Sequence, residues 1–177
     1  VILRKGQREP LEKLLQQPVA GVFELGLHCW GVPGAIDYAC FGVDADGRLS
    51  DDRYLVFYNQ PATPCGAIGL HTRLGESRFA CRLSLLPASI ERLVFTATID
   101  GDGIMRQLVN GYLRFIVQDR EAARFAFTGS DCADEKALIT GEIYRHAATW
   151  RFSAVAQGFD GGLAALVKHF GAEVTDA

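Results

Sequence analysis

Near its C-terminal end the chain alternates apolar and polar residues twice in succession. The first run is Ala137 to His146 and the second Thr149 to Gln157, with only Ala147-Ala148 between them. Successive side chains of an extended strand point to opposite faces, so this period of two predicts strands, and two strands joined so closely predict a β-hairpin. Trp150 and Phe152 fall on one face of the second strand and are expected to point into the core, beside the inward residues of the first.

Strand-like text recurs upstream, over Gly21 to Trp30, Ala35 to Val43, Arg53 to Tyr58, Phe79 to Leu85, Arg92 to Ile99, Gly111 to Gln118 and Ala123 to Phe127. Turn residues separate these runs, as in Gly31-Val32-Pro33-Gly34, Asp44-Ala45-Asp46-Gly47, Asn59-Gln60-Pro61 and Asp100-Gly101-Asp102-Gly103. Many short strands with turn signals between them predict a sandwich or barrel. The expected fold is mainly β, an antiparallel two-sheet β-sandwich with a few short helices. Glu9 to Gln17 predicts one helix, stopped by Pro18, and Ile104 to Val109 a turn or two. Gly161 to Phe170 predicts another, with Asp160 as its cap, an apolar stripe of Leu163, Leu166, Val167 and Phe170, and Gly171 as its left-handed stop. None of the turns reads as a linker, so residues 1–177 are expected to form a single domain.

At 177 residues and 49% hydrophobic, the chain can bury one sizeable core. Its 18 basic and 21 acidic residues nearly balance, which leaves no broad positive field for nucleic acid. No apolar run approaches the roughly 20 residues that span a bilayer, so no integral membrane segment is expected. The opening VILRKGQREP has neither a hydrophobic signal core nor a cleavage site. Five cysteines, Cys29, Cys40, Cys65, Cys81 and Cys132, are odd in number and form no CxxC pair, a pattern that fits a reducing cytoplasm.

Candidate chemistry is sparse. The two D-x-D-G turns at Asp44 and Asp100 place carboxylates two residues apart beside a glycine, as calcium loops do, but neither continues as an EF-hand. The same text suits plain hairpin turns. His28, His71, His146 and His169 form no HxH or HxxxH pair to nucleate a zinc site. His28 and Cys29 are adjacent on a strand and therefore point to opposite faces, a poor geometry for a thiolate–imidazole pair. No nucleophile elbow, phosphate-binding loop or HExxH motif is present.

Short segments in a fixed order resemble the TerD family, the tellurite-resistance and stress-response β-sandwich domains. They include Leu3-Arg4-Lys5-Gly6-Gln7, Trp30, Ile36-Asp37-Tyr38-Ala39, Val56-Phe57-Tyr58-Asn59-Gln60-Pro61, Leu86-Pro87, Tyr112 and the final hairpin and helix. The resemblance implies a sandwich that binds calcium in many members. It also implies that the principal calcium site is degenerate here. Where relatives carry D-x-D this chain reads Ala35-Ile36-Asp37, and their long acidic loop is replaced by the shorter Gly69 to Ser77, whose one carboxylate is Glu76. Asp37 and Glu76 are then the remnant calcium ligands, faced by Arg73 and Arg78, and no cofactor is expected. The function so implied is a non-enzymatic, cytoplasmic stress-response domain that acts through protein partners. The alternatives are a calcium-binding switch, and a thiol-dependent enzyme that detoxifies an oxyanion.

Overall fold

The computed structural model describes residues 1–171. In chain order its strands are β1 (Ile2–Leu3), β2 (Arg8–Pro10), β3 (Phe23–Trp30), β4 (Ala35–Val43), β5 (Leu55–Val56), β6 (Ile68–Arg73), β7 (Glu76–Cys81), β8 (Arg92–Asp100), β9 (Asn110–Val117), β10 (Arg120–Phe127), β11 (Ala137–His146) and β12 (Thr149–Phe159). Two short helices accompany them, α1 (Leu11–Leu15) and α2 (Leu163–His169). The first sheet has the order β1-β10-β9-β3-β7-β6 and the second β2-β12-β11-β8-β4-β5. Neighbouring strands are antiparallel except β1 and β10, which are parallel. The sheets pack face to face, as expected for a β-sandwich.

The alternation of each strand sends one set of side chains into this interface. Phe79 of β7 meets Phe95 of β8 with ring centroids 5.3 Å apart, and Phe115 of β9 meets Phe152 of β12 at 4.9 Å. Both contacts are edge to face, the arrangement that the aromatic quadrupole favours. The final hairpin forms as the alternation predicts, with Ile143 opposite Phe152 and Tyr144 opposite Arg151. Its two-residue turn puts Ala147 and Ala148 at φ 48° and 63°, the left-handed pair whose twist matches the flanking strands.

Phe152 is fully buried, but Trp150 is not. Trp150 lies at the rim of the sandwich, half-buried, under the guanidinium of its cross-strand partner Arg145, 4.3 Å from the ring centre. The same guanidinium donates to the carbonyls of Ile90 (3.0 Å) and Pro87 (3.4 Å). The two residues share a face, yet the second sits where the inter-sheet layer runs out.

The accessory elements differ in detail from the sequence expectation. Arg8–Pro10 pairs with β12 as a strand, which shortens α1 to Leu11–Leu15, and Gln16 stops it at φ 56°. Arg53 to Tyr58 is a 3-10 turn, Asp52–Tyr54, followed by two strand residues. Met105–Gln107 forms a single 3-10 turn. Asp160 does not cap α2, whose N-cap is Gly162. Gly171 does take the left-handed stop at φ 81°. The buried Leu166 and Phe170 hold α2 against the outer face of the second sheet, where the Phe170 ring lies 4.8 Å from that of Phe41.

The largest difference concerns Gly69 to Ser77. It is the hairpin β6–β7, turning at Leu74 (φ 52°) and Gly75 (φ 78°), and not a loop. Leu74 is 95% exposed at the tip, in a left-handed conformation more often held by Asn or Gly. No helix among the described residues is long and apolar enough to cross a membrane.

Candidate functional site

The outer face of the first sheet carries a cross-strand row formed by Arg124 of β10, Arg114 of β9, Gly26 of β3, Arg78 of β7 and His71 of β6. Glu76, two residues before Arg78 on the same face, lays its carboxylate into this row. Its Oε1 accepts from Arg78 Nε (2.6 Å) and Arg114 Nη2 (3.0 Å), and its Oε2 from Arg114 Nε (2.7 Å) and the Tyr112 hydroxyl. Four donors meet the roughly four lone-pair sites of one carboxylate, so its hydrogen-bonding capacity is filled. Burial by itself would raise the Glu76 carboxyl, but the bonds from Arg114, Tyr112 and Arg78 outweigh it and hold the group down to about 2. Burial and the same carboxylate push the Tyr112 hydroxyl up to about 12.

The row continues at both ends. Arg78 also reaches Glu24 of β3 (3.4 Å), and Glu24 lies 2.6 Å from His71 Nε2. On the other side Arg124 donates to Glu121 (2.7 Å) and covers the Tyr112 ring at 4.3 Å. Above the row His28 stacks on Trp30 with centroids 5.3 Å apart, and Tyr112 stands 6.4 Å from Trp30. The result is an ion-paired, aromatic sheet face with Trp30 and Val109 exposed at its rim.

Asp37 stands elsewhere. It lies on β4 opposite Thr98, on the outer face of the second sheet, because its neighbours Tyr38 and Ile36 point between the sheets. The structure therefore places Asp37 and Glu76 on opposite outer faces of the sandwich and does not bring them together. Burial, and next the nearby carboxylate of Asp100, push the Asp37 carboxyl up. Among the described residues neither Asp37 nor Asp100 makes an ion pair, and no three His, Cys, Asp or Glu side chains converge to hold a metal ion. Arg73, at the tip of β6, pairs with Asp119 at 2.9 Å.

The D-x-D-G turns have internal roles. Asp44 Oδ1 accepts from the amides of Asp46 (2.9 Å) and Arg48 (3.0 Å), which closes its turn. In the other turn the Lys136 ammonium donates to the carbonyls of Gly101 (2.8 Å) and Gly103.

All five cysteines are free thiols. Burial pushes Cys29 up to about 12 and raises Cys40 and Cys81 well above the usual thiol range. Cys65 differs. Partial burial would raise it, but hydrogen bonds from Thr63, Tyr54 and the Ala67 amide outweigh this and lower it.

The sequence sets Glu76 beside Arg78 but does not join Tyr112 to them, and it does not single out Arg114 or Gly26. A glycine in the middle of a strand is a signal of close approach. A β-carbon on Gly26 would stand 2.8 Å from the Glu76 carboxyl carbon, so the missing side chain makes the room into which the carboxylate is laid.

The TerD domain family matches residues 1–170. The chain is 30% identical to tellurium resistance protein TerD of Serratia marcescens over 77% of each chain. It is also 30% identical to general stress protein 16U of Bacillus subtilis (strain 168), over 98% of each. Among solved structures, a homologue of telluride resistance protein (TerD) from Streptomyces coelicolor A3(2) superimposes with a TM-score of 0.61 at 20% identity, covering 86% of this chain and all of that one. That likeness bears on the fold, whereas the family match runs through nearly every described residue. The ordered sequence segments, the two six-stranded sheets and the family match agree: the chain belongs to the TerD domain family.

Proposed function

We propose that this chain serves the stress response as a non-enzymatic binding domain, acting in the cytoplasm through a protein partner and without tight calcium binding. Its relatives carry names of tellurium resistance and general stress proteins. The state of Glu76 supports the reading most directly. A carboxylate that already accepts from two guanidiniums and a phenol would have to break charge-assisted bonds to ligate calcium, a hard cation that takes six to eight oxygens. Glu76 instead helps to build an ion-paired polar surface, rimmed by the exposed Trp30.

Calorimetric titration of metal-stripped protein with calcium tests the metal half of this reading. A ligand that binds only the folded state stabilises it by RT ln(1 + [L]/Kd), roughly 2.7 kcal/mol at a hundredfold excess over Kd. The expected result in millimolar calcium is no saturable heat and no shift in unfolding temperature. Saturable binding that disappears in Asp37→Asn would put the calcium-switch reading first. Cross-linking in tellurite-stressed cells tests the partner half: a specific protein adduct is expected, and recovery of the uncross-linked chain alone would overturn it.

A further inference from the structure

One open stretch of the second sheet's edge lies along β4. Strand β5 pairs only with Cys40 and Phe41, so among the described residues Ala35–Ala39 has β8 on one side and no strand on the other. The ladder determines which backbone groups face that open side. The Ile99 amide donates to Lys136 (2.8 Å), which turns Ile99 away from β4 and makes Ile36–Ile99 a non-hydrogen-bonded pair. The pattern then alternates, so Ile36 and Tyr38 direct their N–H and C=O groups outward, in line with Cys40, which meets Val56 of β5. Beyond the β8 ladder, none of these four groups has a hydrogen-bond partner among the described residues.

This edge is recessed. Two adjoining hollows of about 350 and 370 Å³ run along it and share Ile36, Tyr38 and Ser77. The β6–β7 hairpin forms the opposite wall, through Leu70, Thr72 and Gly75. An exposed aromatic closes each end, Tyr58 at one and Trp30 at the other. The edge is also held in place, because the Tyr38 hydroxyl accepts from the Cys29 amide of the first sheet at 2.7 Å. Asp37, between the two outward-facing residues, shares the outer face with Asp100, and both carboxylates lack an ion-pair partner among the described residues.

We propose that this groove binds an extended segment of a partner polypeptide, which adds as a strand to the β4 edge at Ile36 and Tyr38 and places a Lys or Arg side chain beside Asp37 and Asp100. Strand addition supplies affinity through main-chain hydrogen bonds and specificity through alternate side chains. Side chains on the inner side of the added strand meet Leu70, Pro61 and the aromatic ends, and those on the outer side meet the carboxylates. The bound segment is therefore one that alternates apolar and basic residues. The inference rests on the partner reading above, and it gives that partner a chemistry and a place.

The probe is a capped heptapeptide alternating valine and lysine, added to the whole chain while backbone amide exchange is followed by NMR. The Ile36 and Tyr38 amides are expected to slow by at least about tenfold at saturation, as newly bonded amides do. Peptides with glutamate for lysine, or with alternate N-methylated amides, are expected to give no slowing. Ile36→Pro removes one edge donor without touching the β8 ladder, a change that edge strands tolerate, and should weaken binding by at least about tenfold where Ile36→Val does not. If Ile36→Pro does not fold, exchange in the unaltered chain decides. Unchanged exchange at both amides in millimolar peptide would overturn the proposal, as would equal binding of the N-methylated peptide. Protection of the same amides that rises with protein concentration alone would place a second copy there instead. A cellular partner cross-linked equally well by Ile36→Pro would overturn the edge proposal and leave the partner reading intact.

Discussion

The carboxylate of Glu76 lies over Gly26 of the neighbouring strand, where a β-carbon would come within 2.8 Å of its carboxyl carbon and 2.9 Å of both oxygens. Gly26→Ala must displace a group held by two arginines and a tyrosine, and overpacking of this kind costs roughly 1–3 kcal/mol. Urea unfolding should show a loss in the upper part of that range. A loss below about 0.5 kcal/mol, the scale of an ordinary surface change, would mean that the carboxylate is not seated there.

Glu76 also sets an acid dependence. Its folded value of about 2 lies below its ordinary 4.5, so the folded state binds the proton more weakly than the unfolded chain. The stabilisation is fully present above the ordinary value and is lost as pH falls from there toward about 2. Glu76→Gln should flatten the stability profile across that window. At neutral pH it should cost roughly 3 kcal/mol, since Arg78 and Arg114 lose the carboxylate they share and keep only the longer contacts to Glu24 (3.4 Å) and Glu121 (3.7 Å). Denaturation curves of both proteins over roughly pH 2 to 7 measure both effects. Parallel profiles would show that Glu76 is not the titrating group.

Phe152 and Trp150 differ in burial although they share a strand face. Phe152→Ala should cost roughly 3–5 kcal/mol, because it empties a fully enclosed site against Phe115. Trp150→Ala should cost about 1–2 kcal/mol, the scale of lost rim packing plus the cation–π contact with Arg145. Equal losses in chemical denaturation would place both rings in the core.

The thiols should react in a clear order. Cys65 is partly exposed and its thiolate is favoured by Thr63, Tyr54 and the Ala67 amide, so it should be modified first by a water-soluble disulfide reagent. Cys132, also partly exposed but with its thiolate disfavoured by burial and by Glu135, should follow. Cys29, Cys40 and Cys81 should react only when the protein opens, at a rate that rises with denaturant. Mass spectrometry of the labelled sites over time decides the order, and early labelling of Cys40 would contradict the core packing.

Alternation and the turn signals determined the strands and the final hairpin, and with them a sandwich or barrel, because a strand with one buried face must repeat every two residues whatever its neighbours are. The stop at Gly171 was equally legible, since it depends on one residue's backbone freedom. The hairpin hidden in Gly69 to Ser77 was not, because its turn uses Leu74 in a left-handed conformation that leucine seldom announces. Burial of Trp150 depended on where the opposing sheet ends, a property of two distant segments. The same holds for the candidate site. The residue types at Asp37 and Glu76 were plain in the text, but only the pairing of β7 with β3, and of β3 with β9, laid Glu76 between Arg78 and Arg114 and turned it away from Asp37. Long-range register decides which charges meet, and register is set by the packing of the whole sheet.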